Sequence, residues 1–82
     1  MHMIYNSPTY CVVEFRDAEN QFGGGYEIMD KTTRREIFIG GMMAEQFRGK
    51  VAELIETEPS IEEVDEFLET FSGLMQQPLV LH

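Results

Sequence analysis

The chain has 82 residues, 43% of them apolar, and a net charge of −9; it is one domain in size and apolar enough for a core. Six acids and four bases lie in residues 1–43, nine acids and two bases in residues 44–82. This balance speaks against nucleic acid or an anionic membrane as the main partner and favours a basic protein surface.

Residues 3–5 read as a short strand, and Asn6-Ser7-Pro8-Thr9 as a turn. Residues 10–15 (YCVVEF) are aromatic and β-branched, a second strand. A polar loop over 16–22 runs into Gly23-Gly24-Gly25. Residues 26–39 (YEIMDKTTRREIFI) form a hairpin, with Asp30 opening the turn by an Asx-type bond to the backbone two residues on. With Thr32-Thr33 at its centre, Ile28 faces Ile37, Tyr26 faces Ile39 and Asp30 faces Arg35. One face then carries Tyr26, Ile28, Ile37 and Ile39, the expected core side. The other carries Glu27, Met29, Lys31, Arg34, Glu36 and Phe38. A one-residue slip would expose the isoleucines, so burial holds the register.

After Gly40-Gly41 a helix is expected over 42–56, with Met43, Phe47, Val51, Leu54 and Ile55 inward. Gly49 weakens it unless a close contact needs the missing side chain. Thr57-Glu58-Pro59 stops it. Ser60 and Glu63 make an S-x-x-E capping box for a second helix. Its stripe is Ile61, Val64, Leu68, Phe71 and Met75, with Gly73 as the C′ residue and Glu62, Glu63, Asp65, Glu66 and Glu69 on the remaining surface. Residues 78–82 form an apolar tail or edge strand. The expected fold is α+β: an antiparallel sheet of about four strands followed by two helices on one face.

Chemistry is sparse. Gly23-Gly24-Gly25 lacks the Gly-Lys-Ser/Thr of a P-loop and precedes a strand, so it reads as a turn. Cys11 sits among apolar neighbours, and His2 and His82, its only imidazole candidates, lie at the termini. It leaves no disulfide to form, and a fold this small often gains stability from a second subunit. Two histidines and one cysteine leave a metal shell unfilled, and no cofactor or metal site is expected. The glutamates of the second helix read as a solvated face or a docking surface for a basic partner. Lys31, Arg34 and Arg35 form the only basic cluster, at the hairpin tip. It reads as a solvated turn with an Asp30–Arg35 cross-strand pair; it also suits an anion contact, or the acidic helices of a second copy.

Alternation carried into the second strand places Tyr10 and Val12 beside Met29 and Phe38 on the face away from the helices, with Met3 and Tyr5 joining them. Such a rimmed apolar patch is an interaction site unless the tail Leu79-Val80-Leu81 folds back on it.

Residues 1–7 show no basic n-region or apolar h-region, and no apolar run approaches the roughly 18 residues of a membrane span. With a lone cysteine this fits a reducing cytoplasm.

The pattern Tyr5-Asn6-Ser7, Gly24-Gly25-Tyr26-Glu27-Ile28, Asp30-Lys31, Glu36-Ile37-Phe38-Ile39, Gln77-Pro78 and Leu81-His82 resembles the short bacterial proteins of the domain of unknown function family 3567. The resemblance covers nearly the whole chain. It implies a free-standing cytoplasmic domain whose tail belongs to the fold, and it supplies no activity or catalytic residues. The reading is therefore a non-enzymatic, homodimeric interaction or regulatory module. Its interface candidates are Tyr10, Val12, Met29, Phe38, Leu79, Val80 and Leu81. The alternative is a small-molecule or nucleotide-binding regulator using Lys31, Arg34 and Arg35.

Overall fold

The computed structural model describes residues 2–16, 24–74 and 77–78. Five strands, β1 (His2–Asn6), β2 (Tyr10–Phe15), β3 (Gly25–Asp30), β4 (Arg35–Gly40) and β5 (Gln77–Pro78), form one antiparallel sheet in sequential order. Two helices, α1 (Gly41–Glu56) and α2 (Ile61–Glu69), separate β4 from β5. The expected α+β architecture is what the chain adopts. Of the expected tail, Pro78 pairs with Arg35, and Gln77 just before it pairs with Glu36; Leu79, Val80 and Leu81 lie outside the described residues.

The hairpin has the expected register, with Ile28 opposite Ile37 and Tyr26 opposite Ile39. Asp30 Oδ1 accepts from the amides of Thr32 at 2.9 Å and Thr33 at 3.2 Å, and from Thr32 Oγ1 at 2.7 Å. Those three donors close a four-residue turn that ends with Arg34 at φ 58°. At the far end of the hairpin Gly25 pairs with Gly40. Gly25 has φ +152°, and a Cβ there would stand 2.3 Å from the Ile39 carbonyl oxygen, so only glycine lets the two strands meet. The Phe38 ring covers this glycine row and meets Phe15 at 6.0 Å between centroids.

Both helices lie on one face of the sheet. Tyr10, Val12, Tyr26, Ile28 and Ile39 are buried against Ala44, Phe47 and Leu68, with Tyr5, Ile37, Val51, Val64, Phe67 and Phe71 around them. Phe47 is the centre: its ring lies 4.9 Å from Tyr26, 5.9 Å from Phe67 and 5.5 Å from Phe71. Aromatic pairs at these spacings add to their area burial.

Tyr10 and Val12 require a correction. They are 4% and 1% exposed and belong to the core, not to the opposite face. The pairing of Val12 with Ile28 and Tyr10 with Asp30 sets their side. YCVVEF is apolar on both faces, so its own pattern does not reveal which side turns inward.

Tyr5 is corrected for a different reason. A bulge between Met3 and Tyr5 places Met3 opposite Val13 and Tyr5 opposite Val12, on opposite faces. In a regular strand the two would share a face.

The α2 capping box forms as expected, the Ser60 hydroxyl accepting from the Glu63 amide and the Glu63 carboxylate from the Ser60 amide. The helix is shorter than its stripe: it ends at Thr70, whose Oγ1 donates to the Phe67 carbonyl at 2.6 Å. Gly73 lies in a 3₁₀ turn, Ser72–Leu74, instead of serving as C′. Ala44 takes the inward place expected of Met43, which is 46% exposed.

Candidate functional site

Two regions of this fold could meet a partner: the sheet face away from the helices, and the end of the sheet where its turns gather.

Pairing builds the outer face in rows. Met3, Val13, Glu27 and Phe38 form one row; Asn6, Cys11, Met29 and Glu36 form the next; Phe15 and the two glycines form the third. Cys11 and Val13 are buried, Phe15, Glu27 and Met29 are half-buried, and Met3 and Phe38 are exposed. Among the described residues no helix covers this face. Burial pushes the Cys11 thiol up, Lys31 opposing and Glu27 adding to the effect, so the group stays protonated near neutrality. Of the sequence candidates this face collects Met29 and Phe38.

The hairpin tip is tied down. The Lys31 ammonium donates to Asn6 Oδ1 and to the Ser7 carbonyl, the latter at 2.8 Å. The Lys31 amide donates to the Thr9 carbonyl at 2.8 Å. Lys31 therefore clamps the β3–β4 turn to the β1–β2 turn, while Arg34 and Arg35 are exposed.

Beside that clamp lies a junction that sequence reasoning missed. Asp65, expected on the α2 surface, turns toward the sheet. Its Oδ1 accepts from Tyr5 Oη at 2.8 Å and from Ser7 Oγ at 2.9 Å. Ser7 Oγ also accepts from the amides of Tyr10 at 3.0 Å and Thr9 at 3.2 Å. The signal was present: Asp65 stands four residues after Ile61 and three before Leu68, within the inner stripe. Burial and the bond to Asp65 raise the Tyr5 phenol, and the Glu62 charge adds to this. A second junction joins α1 to the sheet: Arg48 Nε donates to Tyr26 Oη at 2.8 Å, and Tyr26 Oη donates to Glu14 Oε2 at 3.2 Å.

Both junctions fasten helices to strands. Among the described residues no group of three or more His, Cys, Asp or Glu is arranged to hold a metal, and no helix is long and apolar enough to cross a membrane.

The chain belongs to the family described as protein of unknown function DUF3567, which matches residues 1–82. Its relative in Burkholderia thailandensis, Protein BTH_I0359, is 58% identical over 85 residues, covering 100% of each chain. No solved structure matches the chain.

Proposed function

We propose that this chain is a cytoplasmic, non-catalytic interaction module that self-associates through the outer face of its sheet. The observation that carries the reading is the row of Met3, Val13, Glu27 and Phe38, lined on one side by Cys11 and Met29 and on the other by Phe15. Met3 and Phe38 stand exposed at the two ends of that row, with Glu27 inside it, and exposed apolar side chains on one sheet face are the surface an isologous contact uses. The anion-clamp alternative is the weaker of the two, because Lys31 is occupied within the fold.

Light scattering across a concentration series tests the proposal. The wild type is expected to have the mass of a dimer, and Phe38→Asp that of a monomer at the same concentration. Phe38 also covers the glycine row, so Met29→Glu serves as a second variant. A dimer unchanged by both, or a wild-type monomer at every concentration, removes this face as the interface.

A further inference from the structure

The strand order leaves β1 at one edge of the sheet, and among the described residues nothing pairs with its outer side. Natural edge strands are guarded by lysine, proline, inward charge or a bulge. HMIYN has no lysine, proline or carboxylate; its one guard is the bulge at Ile4, which leaves His2, Met3, Tyr5 and Asn6 paired with β2. Met3 is 57% and Ile4 42% exposed. This edge shares Met3 with the outer face but offers the main chain of β1, and its use does not depend on self-association.

The side of α2 that overhangs β1 is acidic. Tyr5 Oη reaches Asp65 and the Ile61 carbonyl, the latter at 3.4 Å. Helical spacing places Ile61 and the buried Leu68 on one flank of Asp65, and Glu62 and Glu69 on the other. The charges of Glu62 and Glu69 are felt at Tyr5 and Tyr10 respectively, and Ile61 is 56% exposed. A strand added to β1 would alternate between two environments. Side chains on the helix side would meet Ile61, Glu62 and Glu69; those on the other would extend the apolar row at Met3.

We propose that the β1 edge, overhung by Glu62 and Glu69, is a docking site for an extended peptide of alternating basic and apolar residues, bound as an added strand. Main-chain bonds supply affinity in such an arrangement and the alternating side chains supply selection. A second copy of this chain fits less well, because it would set two acidic α2 flanks side by side.

Fluorescence anisotropy tests this with a short labelled peptide alternating lysine and valine. Saturable binding is expected, lost when the peptide is N-methylated along one edge and absent for a glutamate–valine peptide. Glu62→Lys combined with Glu69→Lys is expected to weaken it about tenfold, as two exposed charge pairs are reversed. Ile4→Lys is expected to abolish binding and leave the mass by light scattering unchanged. Circular dichroism checks that both variants fold; the helix-surface pair keeps the test decisive if the strand variant does not. Lysine–valine and glutamate–valine peptides binding alike, indifference to N-methylation, or no binding at all overturns the proposal. So does a dimer that Ile4→Lys alone converts to monomer, since the edge would then be filled by a second copy.

Discussion

Asp30 is 5% exposed and its Oδ1 receives three short-range donors. Burial alone would raise its pKa, but the hydroxyl and amide donors of Thr32 and Thr33 outweigh burial and hold it below the ordinary value. A group depressed in the folded state contributes its stability above the unfolded pKa of about 4, and loses it as pH falls through the folded value. Urea unfolding of Asp30→Ala at pH 7 should show a loss of about 1–3 kcal/mol. The deficit relative to wild type should shrink below pH 4. Gly49 makes the opposite case. A Cβ there meets nothing within 4 Å, so no close contact requires the glycine. Gly49→Ala should raise stability by up to about 1 kcal/mol, read as a higher melting temperature.

At the scale of elements, α2 is held by one carboxylate as well as by its apolar stripe. Asp65→Ala would leave Tyr5 Oη and the largely buried Ser7 without their shared acceptor. A loss of about 1–3 kcal/mol is expected, with hydrogen exchange rising first in α2 and β1. Asp65→Asn keeps an acceptor oxygen and should recover part of it. The legibility of the chain divides at this scale. Asp30, the isoleucine pairs and the Ser60–Glu63 box act over a few residues, and each was readable from spacing. The side of β2 was not, because it depends on how β2 registers with β3 across the loop, and YCVVEF offers apolar residues to either face. Nor was the bulge at Ile4, which moves Tyr5 into the core without a glycine or proline to announce it. Asp65 was misjudged because charge suggested the surface while position indicated the inner stripe.

For the whole molecule, the net charge of −9 gives the two proposed contacts opposite responses to salt. Two copies meeting through the outer face repel one another as whole bodies, so screening should strengthen the dimer. A basic peptide on the β1 edge is drawn by Glu62 and Glu69, and the same salt should weaken it. Dimer dissociation constants and peptide anisotropy, each measured over one sodium chloride series, separate the surfaces by the sign of the slope.

Among β1–β4 every sheet contact joins strands next to each other in the chain, whereas Tyr5 and Asp65 meet across 60 positions. A chain made from its N-terminus would thus complete the β1–β4 meander and α1 by local steps before α2 exists to add Leu68, Phe67 and Val64 to the core. Local pairing is fast and distant closure slow. Between the two, a newly made chain presents a formed sheet with part of its future core in water, a form suited to capture by a chaperone or to sticking to its neighbours. Closing that interval falls to nine helical residues with one inward carboxylate. Defects in α2 would therefore reduce the yield of folded protein more than the stability of the molecules that reach the native state.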